Sequence, residues 1–125
     1  MAPVTTHVCA QLRHLVLYHL DNDLLDNALF MAERLFAVDP RSPDAVHLLA
    51  LCHYRARHLK AAYDYSRSMA LKGIHLGCSY VYAQACLALG RNRDGELALD
   101  RCRSLWEGKL HGSECLKRTL STDPS

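Results

Sequence analysis

Small residues return along this 125-residue chain with a period of 33 or 34 positions. Ala28 is followed 34 positions later by Ala62, and Ala62 is followed 33 positions later by Gly95. A second series, with steps of 34 and 33, consists of Val16, Ala50 and Ala83. A period of this length is typical of solenoids in which each repeat is one pair of helices. The chain is therefore predicted to be a stack of similar helical units.

The apolar residues between these positions recur at intervals of three and four, which is the spacing of amphipathic helices. Ser42 and Pro43 suit an N-cap and a first helical position, and Gly73 and Gly90 suit the residue that closes a helix. No Asn-Gly or Asp-Gly turn lies between alternating segments, which is the pattern that predicts a hairpin of strands. The predicted helices cover about residues 5–21, 24–38, 43–57, 59–71, 75–89 and 93–106, with a last helical segment over 113–120.

This pattern predicts an all-α fold, a right-handed superhelix of antiparallel hairpins formed by tetratricopeptide repeats (TPRs). The expected organisation is a single domain, 1–125, with repeats at about 9–42, 43–75 and 76–108 and an incomplete fourth repeat at 109–125. Two antiparallel helices approach closely when each has a small residue at mid-length. We therefore expect Ala50 to lie against Ala62 and Ala83 against Gly95, with Ala28 as the small residue of the first repeat.

Charge and hydropathy exclude several classes of function. The 15 Lys and Arg residues exceed the 13 Asp and Glu residues by two, which does not favour a nucleic-acid partner. The basic residues interpreted as a solvated outer face are Arg55, Arg57, Lys60, Arg67 and Lys72. No apolar run approaches the roughly 20 residues of a membrane span, and the first residues lack the pattern of a secretory signal. We expect no membrane partner and a reducing environment.

The six cysteines are too widely spaced to predict a disulfide framework or a metal knuckle. His75-x-x-Cys78 comes nearest, but a structural zinc site needs a second such pair. We therefore expect no metal and no cofactor. The histidines His19 and His53 take a repeat position that an aromatic ring usually fills, so we interpret them as structural, although a Cys/His nucleophile pair is the alternative. Because no catalytic motif is present, the chain is predicted not to be an enzyme and to have no small-molecule substrate.

The first helix of each repeat forms most of the concave wall in such a superhelix, so regularly spaced side chains on those helices should face a groove. The partner-binding positions predicted in this way are Arg13, Leu17, Leu20, His47, Leu51, Tyr54, Tyr80, Gln84 and Leu87. These residues are mostly apolar, which predicts an apolar partner. The alternative is that some of them pack against neighbouring helices, because a short array is tightly curved.

Several segments resemble, in order and spacing, the N-terminal repeats of one TPR family. They are Asn27–Leu35, Leu48–Arg55, Lys60–Tyr63, Tyr82–Cys86 and Gly112–Cys115, the last followed by Asp123-Pro124. The family is that of cell division control protein twenty-seven, which is subunit three of the anaphase-promoting complex or cyclosome. The fungal, BimA-like members are the most similar.

The resemblance implies a non-catalytic homodimerisation module in which the first helices of each protomer lie in the groove of the other. The dimer would be a scaffold for a ubiquitin ligase that controls the metaphase-to-anaphase transition, together with other TPR subunits, in the nucleus and cytoplasm. The contact residues implied are Leu17, Leu20, Leu51, Tyr54, Tyr80, Gln84 and Leu87. The alternative function is an adaptor that binds a partner peptide in its concave groove.

This sequence departs from the family in two respects. Family members are much longer and have a second repeat array that binds activator tails, so this chain is not expected to recruit activators by that route. The sequence between Trp106 and Gly112 is also too short for the first helix of a fourth repeat. We therefore expect the helix at 113–120 to fray or to cap the third repeat in an atypical way, because the apolar Cys115, Leu116 and Leu120 form a poor cap.

Overall fold

The computed structural model describes residues 3–73 and 75–112, which form six α-helices and no strand within these ranges. The helices are α1 (Pro3–Asp21), α2 (Leu25–Val38), α3 (Pro43–Arg55), α4 (Leu59–Lys72), α5 (Leu76–Ala88) and α6 (Asn92–Gly112). Consecutive helices contact each other throughout, and α3 also contacts α1 and α5. The fold is thus a stack of three hairpins, α1–α2, α3–α4 and α5–α6. The prediction of an all-α TPR fold is confirmed.

Local side-chain chemistry sets the helix ends that the sequence indicated most clearly. The Ser42 hydroxyl accepts a hydrogen bond from the Ala45 backbone N–H at 3.3 Å, and Pro43 begins α3. Asp44 lies in the first turn, where its charge is favourable to the helix dipole. At the C-terminus of α4, Gly73 ends the helix in the left-handed conformation with a φ of 67°. These features confirm the boundaries predicted at the two sites.

The first helices of the three hairpins are α1, α3 and α5, and each of them ends in a Schellman motif. The left-handed residues are Asp23, Arg57 and Gly90, with φ values of 56°, 70° and 82°. In each motif, the N–H after this residue donates to a carbonyl five positions earlier: Leu24 to His19 at 2.9 Å, His58 to His53 at 2.8 Å and Arg91 to Cys86 at 2.8 Å. The repeat period therefore extends to the turns, although glycine takes the left-handed position in one of the three.

The small residues of the predicted period are all buried where helices meet. Ala28, Ala50, Ala62 and Ala83 are 0% exposed, and Gly95 is buried as well. A Cβ atom on Gly95 would lie 2.7 Å from the Leu87 side chain and 3.3 Å from the Ala83 carbonyl oxygen, so α5 and α6 touch here with no room for a side chain. Ala50 and Ala62 belong to one core cluster. Ala83 and Gly95 thus lie close together.

The core consists of two clusters that meet at α3. One joins α1, α2 and α3 around Val16, Ala32 and Leu49, and the other joins α3 to α6 around Tyr63, Val81 and Tyr82. Leu51 is partly buried and packs against both clusters. This arrangement, with contacts mainly between neighbouring hairpins, is the organisation expected for a repeat protein.

Two helix ends differ from those expected. Helix α3 ends at Arg55 and not at about 57, because Arg57 adopts a left-handed conformation that no helix can continue. Helix α6 continues from Asn92 to Gly112, beyond the predicted end at 106, since an isolated glycine at Gly108 costs only about 1 kcal/mol and Glu107, Lys109 and Leu110 favour helix. The predicted segment at 113–120 lies outside the described residues, and the proposed repeat boundaries stay predictions.

Replacing Arg57 by glycine should stabilise the chain. A non-glycine residue in the left-handed region costs about 1 kcal/mol, and the Arg57 side chain is exposed, so little contact is lost. We expect Arg57→Gly to raise the free energy of unfolding by about 1 kcal/mol and the reverse change, Gly90→Arg, to lower it by about as much. Urea denaturation followed by circular dichroism measures both. A loss of stability in Arg57→Gly would contradict the Schellman assignment.

Enlarging Gly95 should separate the helices of the third hairpin. Because a Cβ atom there already overlaps Leu87, we expect Gly95→Leu to lower the free energy of unfolding by about 2 kcal/mol. Glu96→Leu is the matched control, since Glu96 is adjacent and exposed, and it should change stability by less than about 0.5 kcal/mol. Chemical denaturation of the two variants compares them directly, and equal effects would show that residue 95 is not at a tight contact.

Candidate protein-interaction groove

Helices α1, α3 and α5 lie side by side, and we call their shared face the groove. Among the predicted groove residues, Arg13, Leu17 and Tyr80 are exposed. The half-buried ones are His47, Leu51, Tyr54, Gln84 and Leu87. Tyr80 is the most accessible apolar side chain among them, at 53% exposure. The structure thus leaves most of the predicted residues available to a partner.

Leu20 is a correction to the predicted groove. It is 4% exposed and belongs to the core cluster with Val16 and Ala28. Leu20 follows Val16 by four positions, so both side chains lie on the face of α1 that packs against α2. The alternative of packing between helices also holds in part for Leu51 and Tyr54, which contact the second core cluster. Leu20 is therefore not available as a contact residue.

At its α5 end the groove opens into a pocket of about 500 Å³. The lining residues are His47 and Leu51 from α3, Leu76, Gly77, Tyr80 and Val81 from α5, and Leu99, Cys102, Arg103 and Trp106 from α6. Arg103 is the one charged side chain among them. The pocket therefore suits an apolar side chain or an amphipathic helix, with one basic group at its edge.

The contribution of α6 to this pocket was not predicted, because the groove was assigned to the first helix of each repeat. A signal does exist in the sequence: Leu99, Cys102 and Trp106 are spaced by three and four positions and so share one face of α6. Trp106 remains 37% exposed in the described structure. Its indole is a large apolar surface that a partner could bury.

Gly77 brings α3 and α5 together at the base of the groove. A Cβ atom on Gly77 would lie 2.7–2.9 Å from the ring atoms of His47, so only glycine leaves space for this ring. Burial lowers the pKa of His47, and the neighbouring His75 and Arg13 lower it further, while Asp44 acts in the opposite direction. His47 is consequently neutral at pH 7, and the base of the groove carries little positive charge.

An ion pair joins α1 to α3. The Arg13 guanidinium of α1 donates to the Asp44 carboxylate of α3. Both side chains are about half exposed, so the pair adds little to stability. It does occupy the one cationic side chain predicted for the groove. An acidic peptide would therefore find Arg13 already paired, which favours an apolar partner.

The buried thiols and His53 do not have the properties of a Cys/His nucleophile pair. Burial raises the pKa of both the Cys52 and the Cys78 thiols to about 12, so neither is a nucleophile at neutral pH. The His53 ring stacks on Tyr65 with ring centroids 5.5 Å apart and an interplanar angle of 7°, as expected at an aromatic position.

Within the described ranges, none of the helices combines the length and apolarity that crossing a bilayer requires.

Stacked helical hairpins with an apolar groove define a chain of the TPR class, whose concave surfaces bind other proteins. Residues 21–102 match the family described as anaphase-promoting complex, cyclosome, subunit 3. The match covers more than half of the chain, and the chain belongs to this family. The membership confirms the resemblance found in the sequence and the prediction of a non-catalytic chain.

Three relatives illustrate the similarity. The chain is 51% identical to Protein bimA of Emericella nidulans over 111 residues, which is 89% of the chain and 14% of the relative. It is 34% identical to Anaphase-promoting complex subunit 3 of Schizosaccharomyces pombe over 96 residues, 77% of the chain and 14% of the relative. The Cell division cycle protein 27 homolog of Homo sapiens is 34% identical over 73 residues, 58% of the chain and 8% of the relative. The chain thus spans a small part of each relative.

The four buried thiols should resist alkylation in the folded chain. At pH 8, a thiol with a pKa of about 12 is ionised in about one molecule in ten thousand, and burial also blocks the reagent. Among the cysteines that the structure describes, we expect iodoacetamide to modify the half-buried Cys9 first and to modify Cys52, Cys78, Cys86 and Cys102 at appreciable rates only in denaturant. Peptide mass spectrometry after timed quenching measures each site. Rapid native alkylation of Cys78 would instead indicate an exposed, activated thiol.

Proposed function

We propose that this chain is a non-catalytic scaffold and homodimerisation module of the anaphase-promoting complex or cyclosome. In this assembly, a ubiquitin ligase that controls the metaphase-to-anaphase transition, the groove of one protomer holds the first helices of a second copy. Membership of the subunit 3 family supports the place in the complex. The groove geometry supports the dimer.

The observation that carries the dimer is the apolar, open end of the groove. Tyr80 and Trp106 line this pocket and are 53% and 37% exposed, and the half-buried Leu51 lines it as well. On α1, the predicted groove residue Leu17 is 36% exposed. An exposed apolar surface of this kind marks an interaction site, because covering it is favourable by about 25 cal/mol per Å². A partner that supplies apolar side chains is therefore favoured.

Helix α1 carries a surface that could fill this pocket. Val8, Leu15 and Tyr18 are 36%, 37% and 54% exposed, and their spacing of seven and three places them along one side of the helix. In a two-fold symmetric dimer, α1 of each protomer would enter the groove of the other, so the same contact forms twice. The groove and α1 together thus form a self-complementary pair of surfaces.

The surface formed by the second helices of the hairpins suits the other proposed partners, which are further TPR subunits of the complex. Phe30, Leu71 and Leu97 are 54%, 48% and 54% exposed on the second helices of the hairpins. Contacts there would leave the groove free for the second copy. We propose a location in the nucleus and cytoplasm in keeping with this role, and no nucleic-acid, membrane or small-molecule partner.

The solution mass of the purified chain tests the dimer. Light scattering over a dilution series should give twice the chain mass of 14.1 kDa. Leu51→Glu combined with Tyr80→Glu should give a folded monomer, because dimerisation would then bury two carboxylates in place of apolar contacts. Since Leu51 also packs in the core, the milder pair Tyr80→Glu and Trp106→Glu serves as a second test. Leu97→Glu is the control: it is equally exposed on another face and should remain dimeric.

A wild-type chain that stays monomeric at high concentration would contradict the dimer. In that case, a rise in melting temperature with a specific apolar peptide would identify the adaptor function instead. Dimers that persist in both double variants, with circular dichroism showing intact helices, would move the interface away from the groove.

A further inference from the structure

Three side chains that ligate soft metals meet between the second and third hairpins. His47 comes from the second turn of α3, His75 is the N-cap of α5, and Cys78 lies in the first turn of α5. One ligand atom of each lies within 4.8 Å of the other two. The imidazole rings of His47 and His75 are 5.1 Å apart between centroids. The three residues form a compact, partly enclosed cluster, which we call the His/His/Cys cluster.

The fold creates this cluster from residues that are distant in sequence. His75-x-x-Cys78 alone predicted no metal site, because a second ligand pair was missing. The close packing of α3 on Gly77 adds His47 as a third group, 28 positions before His75. The cluster is partly shielded from solvent, because Cys78 is fully buried and both histidines are half-buried.

His47 provides an independent indication of a ligand. Its Nδ1 atom is buried and has no hydrogen-bond partner among the residues that the structure describes. Buried polar atoms almost always have a partner, since leaving one without any is unfavourable. A metal ion bound at Nδ1 would give this buried atom a partner.

The outer contacts of the cluster suit a cation. His75 Nε2 lies 4.0 Å from the Asp44 carboxylate, and a carboxylate beside a histidine is the usual outer partner of a metal ligand. The His75 Nδ1 atom accepts a hydrogen bond from the Cys78 backbone N–H at 3.1 Å. A metal ion bound at His75 Nδ1 would replace this N-cap hydrogen bond with a coordinate bond.

We propose that His47, His75 and Cys78 bind one zinc ion, which links α3 to the start of α5 and leaves the fourth coordination position to water or another donor. Two imidazoles and one thiolate are ligands that zinc prefers, and three protein ligands with one open position are common for this metal. On binding, the Cys78 thiol loses its proton to solvent and the sulfur forms the zinc bond, so the step releases one proton and involves no redox change.

The zinc bond would fasten two neighbouring hairpins at the base of the groove. It does not depend on dimerisation, because all three ligands come from one chain. Ions that prefer oxygen ligands, such as magnesium and calcium, should not bind, since the cluster offers nitrogen and sulfur.

Cobalt(II) titration of the reduced, full 125-residue chain tests this site. We expect one equivalent to give the intense visible bands of four-coordinate cobalt and a near-ultraviolet thiolate-to-cobalt band, and one equivalent of zinc to remove both. Zinc should also raise the melting temperature. Since loss of an outer partner alone weakens metal binding about 10- to 100-fold, His47→Gln and Cys78→Ser should each weaken zinc binding by at least about 100-fold.

Matched variants keep the test decisive. Cys86→Ser removes another buried thiol, and His58→Gln removes one histidine of the His53–His58 pair, so both should bind zinc as the wild type does. Cys115→Ser checks the thiol outside the described residues and should also bind normally. Weak or absent cobalt bands in the wild type would overturn the proposal, as would binding that survives both His47→Gln and Cys78→Ser. Because His47→Gln retains the polar character of the side chain, it keeps the test valid if Cys78→Ser folds poorly.

Discussion

The close contact between helices at small residues is the constraint on which the structure depends. Ala50, Ala62, Ala83 and Gly95 are buried at these contacts, and even a methyl group on Gly95 would overlap Leu87. Because the helix axes come so near to each other, large side chains are displaced toward the faces of the stack, where they form the two core clusters and the groove. The apolar pocket at α5 is thus a product of hairpin packing, and its lining by α6 follows from the same approach.

The groove and the His/His/Cys cluster both lie at the junction between the second and third hairpins. Gly77 admits the His47 ring between α3 and α5. On the groove side, this brings His47 beside Leu51 and Tyr80, where an apolar partner would lie. Toward the start of α5, it brings His47 beside His75 and Cys78. A substitution at Gly77 would therefore disturb both surfaces, whereas the variants of Tyr80 and Cys78 separate them.

Features governed by local chemistry and by the repeat period could be predicted from the sequence. The start of α3 at Ser42 and Pro43, the end of α4 at Gly73 and the contact of Ala83 with Gly95 are of this kind. Leu20 was misplaced, because the rotation of α1 about its axis depends on its packing against α2. The role of Arg57 was missed, since the backbone hydrogen bonds of the turn hold an arginine in a conformation that sequence assigns to glycine. The cluster at His47 needed the fold, because no spacing rule joins His47 to His75 and Cys78.

Helix α3 is the element whose packing connects the other hairpins. It contacts α1 and α2 on one side and α4 and α5 on the other, and its Leu51 packs against both core clusters. In a stack with contacts mainly between neighbours, cooperativity is one-dimensional, so a perturbation at one end reaches the other only by way of the middle unit. Any ligand that bridges α3 and α5 therefore raises the unfolding cooperativity of the whole chain, while the same ligand on a terminal helix would stabilise that end alone.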